Sequence, residues 1–422
     1  MKRDAKYVWR RGSPPPRLDA HSRVKHRIVE SYVRDYILTL MSRATIPRLQ
    51  LTLVDGFAGG GGYLADNGSG EIDGSPLLMM RAVREARARL NIGRRVQRDV
   101  AVDFAFIDAS PDTAAYLGDR IEAHRQAGLI DPVDAAHAKV SVGDFLTHLP
   151  RLLTTIKQQK RGERAIFVLD QYGYMLPIPE VARILRAARG AEVLLTFNVG
   201  SLVTFLSDRD ANRLPLQKIG LEQYIPWDML YTIKESRQWR QILQRYLAQG
   251  IREVAGARFA TLFFVRPDRS TPWDYWLIHL SNHYKAHEVM KDLHWDNATV
   301  FGHELEPGVF MQGYDPAYDD SHTGQASFDF GESSREACVA GLHEHLGQRI
   351  FAHDGPVLLR ELVEEWATHS PASTKHFIQS LSQLHRSGDV IVCTEDGKVR
   401  RPSTSYHLNS IVEAGRTSRL IP

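Results

Sequence analysis

Cysteine is nearly missing from this chain: Cys338 and Cys393 are the only two in 422 residues, and they lie far apart. That excludes a disulfide framework and a cysteine-rich metal site, so both read as packed, inert thiols and no metal is expected. Long apolar runs are missing too. No segment approaches the roughly 20 residues needed to cross a bilayer, and the start, Met1-Lys2-Arg3-Asp4, has no signal-peptide core. A cytoplasmic protein without membrane contact is therefore expected. Net charge is small at +3, with 24% charged and 43% hydrophobic residues, the proportions of a globular protein. Such a length exceeds what one core usually supports, so two domains are expected.

The charge that is present is unevenly spread. Lys2 to Arg27 holds nine Lys or Arg against two Asp, with Tyr7 and Trp9 among them, and Arg81 to Arg98 is again arginine-rich. Clusters of this kind attract phosphate and their aromatics can stack on bases; a solvated surface is the alternative.

The richest stretch is Leu53-Val54-Asp55-Gly56-Phe57-Ala58-Gly59-Gly60-Gly61-Gly62-Tyr63. Leu51 to Val54 reads as a buried strand, and the glycines after it permit positive φ and close approach of a ligand to the backbone. No lysine followed by Ser or Thr stands at P-loop spacing, and the run enters the polar loop Asp66 to Gly70 rather than a helix, which weakens ATP and dinucleotide readings. Asp73-Gly74-Ser75-Pro76 closes the loop, with Ser75 as expected helix cap and Pro76 as first helical residue.

Strands and helices then alternate. Val102 to Ile107 ends in Asp108, Lys139 to Val142 in Gly143-Asp144-Phe145, and Ala165 to Leu169 in Asp170-Gln171-Tyr172-Gly173-Tyr174. An acid ending the second strand can accept from both ribose hydroxyls, or cap the helix that follows. Asp144 has the same two readings, adenine contact or cap. Glu192 to Asn198, Ala260 to Val265 and Tyr275 to Ser281 supply three more strands. Helical spacing between Gly200 and Phe259 points to a helical insertion over about 200–258.

Asp-x-Phe-x-Gly-x-Gly, with Asp55, Phe57, Gly59 and Gly61, is similar to the first motif of S-adenosylmethionine-dependent methyltransferases. The set His21-Ser22 with Lys25, Val54 to Gly59, Gly74 to Leu77, Val168 to Gly173, and His287-Glu288-Val289-Met290 before Trp295 resembles the three-Cys-motif partner proteins, a bacterial and phage family. That resemblance spans roughly residues 9 to 300. It implies a Rossmann-like class I methyltransferase sheet that binds S-adenosylmethionine through Asp55, Phe57, Gly59, Gly61, Asp108 and Asp144. Asp170 would accept from a target amine, with Tyr172 or Tyr174 stacking on a base. His21, Lys25, Tyr63 and Ser75 fall on the substrate side; a more distant similarity to ribosomal-RNA adenine-N6 methyltransferases gives His21 and Lys25 the same place, with a surface cap and a solvated lysine as the plain alternative. The family usually has proline where Gln171 stands. The resemblance therefore implies either an enzyme acting on an adenine-type amino group or a non-catalytic partner of an iron–sulfur, radical-enzyme-like three-Cys-motif protein.

Residues 306–334, rich in Gly, Asp, Ser and Pro, read as a linker between a methyltransferase-like domain, 1–305, and a winged helix-turn-helix domain, 335–422. There Val357 to Trp366 is expected to be helical, Ser370-Pro371 to start a second helix, and Asp389 to Cys393 to pair with Lys398 to Arg401 across an Asp-Gly turn. Lys375, His376, Gln379, Gln383 and Arg386 occupy the polar side of the second helix, suited to phosphates or base edges; docking to protein is the alternative.

Overall fold

The computed structural model describes residues 7–65, 70–159, 163–171, 173–267, 274–306, 309–315 and 330–415. Helix α1 (Ala20–Leu40) precedes strand β1 (Arg48–Asp55), the hairpin β2 (Gly62–Leu64) and β3 (Glu71–Asp73), and α2 (Ser75–Asn91). Next come β4 (Asp99–Asp108), α3 (Pro111–Gln126), the short α4 (Pro132–Ala136), β5 (Ala138–Val142), α5 (Phe145–Lys157), β6 (Arg164–Leu169), α6 (Ile178–Ala187) and β7 (Gly190–Phe197). The helical layer is α7 (Val199–Phe205), α8 (Asp210–Ile219), α9 (Leu230–Glu235) and α10 (Trp239–Ala255), followed by β8 (Phe259–Val265), β9 (Tyr275–Ser281) and α11 (Tyr284–Asn297).

Nine strands form one sheet in the order β10-β11-β8-β9-β7-β6-β1-β4-β5, with β10 (Val300–Glu306) and β11 (Val309–Tyr314) at one edge. β5, β4, β1, β6 and β7 are parallel, and β9 runs antiparallel between β7 and β8. The chain steps outward from β1 to β5, then returns past β1 to β6. This makes a topological switch between β1 and β6, the place where open α/β sheets bind ligands. Strand β7 is buried along its whole length because helices cover both faces. One core lies under α5, α6 and α10, the other under α1, α2 and α11. The fold is the expected Rossmann-like α/β sheet with a helical insertion and a small winged-helix unit at the C-terminal end.

That unit contains α12 (Phe330–Ala352), β12 (Val357–Leu358), α13 (Leu359–Trp366), α14 (Thr374–Ser387), β13 (Val390–Cys393) and β14 (Ile411–Ala414). Four expectations shift. Val309–Tyr314, inside the expected linker, pairs with β8 as β11, and residues 316–329 lie outside the described residues. The expected first helix gives its leading residues Val357 and Leu358 to β12. The second begins at Thr374, with Ser373 as cap in a capping box closed by His376. The partner of β13 is β14, while 398–401 contributes only an isolated bridge, Cys393 to Val399. Pro402 cannot extend a ladder there, whereas Ile411 and Val412 are β-branched and Val412 is buried.

The winged helix rests on α11. Lys291 Nζ donates to Ala372 O at 2.7 Å, Trp295 Nε1 to Pro371 O at 2.8 Å, and His287 Nε2 lies 2.9 Å from Ala367 O. Phe259, Tyr284 and Trp295 of the α/β domain belong to the winged helix's own core. The His287 to Trp295 segment is thus a docking face. Both cysteines are buried thiols, and burial pushes Cys338 up to about 12.

Candidate functional site

Strand register gathers the acids. Asp55 at the end of β1 stands opposite Phe106 in β4 and Val168 in β6. Asp108 and Asp170 each lie two residues beyond those partners, so alternation turns all three carboxylates to one face. Val142 stands opposite Asp108, and Asp144 is again two residues beyond it.

Each acid is differently held. Asp55 is 1% exposed; Ser75 Oγ donates to it at 2.6 Å and Phe57 N at 3.1 Å. Burial, reinforced by Asp170 and Asp108, pushes its pKa up to about 7 against those two donors. Asp108 accepts from Gly59 N at 3.3 Å and Ser110 N at 2.8 Å, and Ser110 caps α3. Asp144 caps α5, accepting from Leu146 N at 2.8 Å.

Asp170 receives both hydrogen bonds of a bidentate pair from Lys25 Nζ, at 2.9 and 2.8 Å. Burial alone would raise its pKa; the buried Lys25 ammonium and the Thr196 hydroxyl outweigh this and hold it below the usual carboxylate value. His26, beside Lys25, is pushed down to about 4 by burial and is neutral, with Nδ1 buried and unpartnered. Tyr63 lies among Asp170, Asp55, Asp108 and Asp19, and its hydroxyl pKa is raised by burial and these charges.

The glycine loop threads between strand ends, with Gly56 N donating to Val168 O and Ala58 N to Ile107 O. Gly59 has φ of +61°, which favours glycine. Gly60 is needed for a different reason than expected: a Cβ there would stand 2.3 Å from the Trp9 ring. Trp9 is 6% exposed, donates to Gly62 O at 2.7 Å, and meets Tyr63 edge-on at 5.4 Å. The amino-terminal strap is fixed where Leu18 N and Leu64 N exchange bonds with Leu64 O and Pro16 O. Trp9, expected to be open for base stacking, is therefore a packed cover of the loop, and Tyr7 stacks on it at 6.1 Å. Residues 1–6 of the basic cluster lie outside the described residues.

Other expected residues are placed as follows. Phe57 turns its ring towards Phe145 and the core. Ser75 is the first residue of α2, behind Gly74 as N-cap, because its hydroxyl serves Asp55. His21 stacks on Tyr275 at 5.1 Å, and Lys25 Nζ is 5.9 Å from that ring. Tyr172 lies outside the described residues. Tyr174 donates to Asn198 O at 2.7 Å and packs edge-on against Phe197, which ties up both ring and hydroxyl. Gln171 is buried, and its Oε1 accepts from Met175 N and Leu176 N, folding back the loop after β6. On α14, Gln379, Gln383 and Arg386 are exposed. Lys375 pairs with Asp292 at 3.1 Å and stays 77% exposed. His376 is buried against Trp295, which corrects its expected place on the polar side.

Sequence reasoning did not find Trp9 as a cover, nor His26 and Thr196 near Asp170, nor Tyr275 against His21 and Lys25. Each reaches the site from a distant segment, and no local pattern marks them. Among the described residues no cluster of His, Cys, Asp or Glu suits a metal ion, and no helix is long and apolar enough to cross a membrane.

Compared with known families, residues 313–397 match the model of the GMT-like wHTH domain. No curated protein matches the chain. Among solved structures it overlaps a protein from Legionella pneumophila at 13% identity, over 61% of this chain and 85% of that one, with a TM-score of 0.29. The plantazolicin methyltransferase BamL, solved with a triazolic desmethylPZN analogue and SAH, overlaps at 10% identity over 62% and 91%, TM-score 0.25. WbdD overlaps at 14% over 96% and 79%, TM-score 0.34. At such TM-scores none of the three bears on what this chain does.

Proposed function

We propose that the chain binds S-adenosylmethionine at the carboxyl ends of β1, β4 and β6 and engages nucleic acid. The observation that carries this reading is the convergence of Asp55, Asp108 and Asp170 on one face, across the topological switch of the sheet. The donor set suits the ligand: carboxylates for ribose hydroxyls and an adenine amine, beside a glycine turn whose Gly59 N–H already orients Asp108. Asp108 would take the ribose and Asp144 the adenine amine, the latter while still capping α5. When bound, the cofactor supplies an electrophilic methyl group.

Within this chain, Lys25 keeps Asp170 ionised, and therefore an acceptor only. An acceptor amine of an adenine-type base would share Asp170 with Lys25 and be oriented by it. The neutral His26 adds no second cation. Nucleic acid would be met by Arg10, Arg11 and Arg17 of the amino-terminal strap and by Gln379 and Arg386 on α14, since the start of α14 faces α11. Isothermal titration with S-adenosylmethionine tests the binding: Asp108→Ala should weaken it at least about tenfold, about 1.4 kcal/mol. A wild-type protein that gives neither heat nor thermal shift at saturating concentrations sinks the proposal.

One observation favours a second reading. Gln171 uses its side-chain oxygen to fold the loop after β6, a bond proline could not make. A chain that binds without transferring, as regulatory partner of an iron–sulfur three-Cys-motif protein, would need only that folded loop. Asp170→Asn separates the two: the enzyme reading expects labelled-methyl transfer to nucleic acid to vanish while cofactor binding persists. A partner-dependent phenotype unchanged by that substitution supports the binding role.

A further inference from the structure

A cavity of about 350 Å³ opens between α10, β8, α11, β11 and the turn ahead of α14. It shares no wall with the acidic cleft. Four of its lining residues carry a buried polar atom without a hydrogen-bond partner: Arg245 Nε, Thr261 Oγ1, His294 Nε2 and Gln312 Nε2. Thr261, His294 and Gln312 are 6%, 2% and 3% exposed. Buried polar groups are normally paired, so four unpaired ones on residues around one cavity offer hydrogen-bond partners to a ligand.

The lining also has a sign. Arg245, Arg252 and Lys291 are among its described residues, and no Asp or Glu is. Lys291 is 2% exposed, gives Nζ to Ala372 O, and is pushed down to about 7 by burial. Lys291 is a buried amine whose ammonium form is disfavoured by its surroundings, and an arriving anion would relieve that cost. Arginine's fork suits phosphate, while Tyr246, with Ile242 and Leu262, offers an apolar wall for a planar ring.

We propose that this cavity is a second ligand site, distinct from the acidic cleft, for a nucleoside monophosphate. Its phosphate meets Arg245 and Lys291, its ring lies against Tyr246, and Gln312 and Thr261 read polar atoms of ring or sugar. The volume falls in the range of about 300–1,000 Å³ common for such sites. Because the turn from Thr368 to Pro371 forms one wall, the ligand bridges the winged helix and the sheet.

The test titrates the full chain with AMP, GMP, CMP and UMP, following heat and thermal unfolding, with inorganic phosphate and adenosine as part-ligands. At least one monophosphate should bind and raise the melting temperature, more than either part alone. Arg245→Met and Gln312→Leu should each weaken it tenfold or more, and Asp108→Ala should leave it unchanged. Because Arg245 Nε and Gln312 Nε2 have no partner in the free protein, both variants should remain folded, with melting temperatures near that of wild type when free of ligand. Failure of all four monophosphates, as for a cavity that holds water alone, overturns the proposal. So does binding that survives Arg245→Met and Gln312→Leu but is lost in Asp108→Ala, which would put the nucleotide in the cleft.

Discussion

The cleft at the strand ends and the cavity beside the winged helix both bury ionisable groups, with opposite sign and opposite bookkeeping of partners. In the cleft every carboxylate has a donor: Ser75 and Phe57 N for Asp55, backbone N–H groups for Asp108, Lys25 for Asp170. In the cavity the excess is of donors, and several have nothing to bind. The cleft holds its charges with partners from the free protein, so a ligand there must share or displace them, while a ligand in the cavity would meet donors that are still open. The contrast separates residues that shape a cleft from residues that announce an occupant.

The largest effects should appear as two pH windows of opposite slope. Asp55 has a folded pKa of about 7, above its ordinary 3.8, so its contribution is full below about 3.8 and is lost as pH rises through 7. Lys291 has a folded pKa of about 7, below its ordinary 10.5, so its contribution is full above about 10.5 and is lost as pH falls through 7. Each window is worth on the order of 4 kcal/mol from end to end. Urea unfolding from pH 4 to 10 should show the lower slope flattened by Asp55→Asn and the upper one by Lys291→Met. Unchanged slopes in both variants would erase the comparison.

Next in size is the cover of the cleft. Trp9→Ala removes a buried ring and its bond to Gly62 O, which should cost about 3 kcal/mol in denaturant unfolding. Gly60→Ala drives a methyl group into that ring and should cost about 2 kcal/mol. The pair together should cost less than the sum, since the small side chain at position 9 leaves room for the added methyl. Additive losses would show that the glycine serves something other than Trp9. Smallest is Thr261→Val in the cavity. Removal of an unpaired hydroxyl should shift stability by no more than about 0.5 kcal/mol, in either direction.

The strands that carry the site were legible because they are short apolar, β-branched runs ending in an acid and a turn. Observed β1, β4, β5 and β6 contain the expected segments and extend each by one to several residues. The strand β11 was hidden in a stretch rich in turn formers, where pairing with β8 decides the outcome over local propensity. In the winged helix the Asp-Gly turn drew attention to 398–401, yet the ladder went to Ile411–Ala414, which buries Val412. Two helix starts were misjudged for one reason: Ser75 and Ser370 stand where a capping serine is expected, and only the surroundings show that Ser75 serves a carboxylate and that Ser373 is the cap.

By itself the sequence determined the layers: alternating strand and helix patterns, a glycine turn after the first strand, acids at strand ends, and a helical unit with a hairpin at the carboxyl end. Those follow from local periodicity and turn chemistry, which act over a few residues. Tertiary structure alone decided that Asp55, Asp108 and Asp170 share a face, because parallel register, a relation between strands, sets their parity. It alone placed Lys25 on Asp170 and Trp9 on Gly60, contacts 145 and about 50 residues apart in the chain. It also opened the cationic cavity, whose walls come from five segments that no local pattern connects.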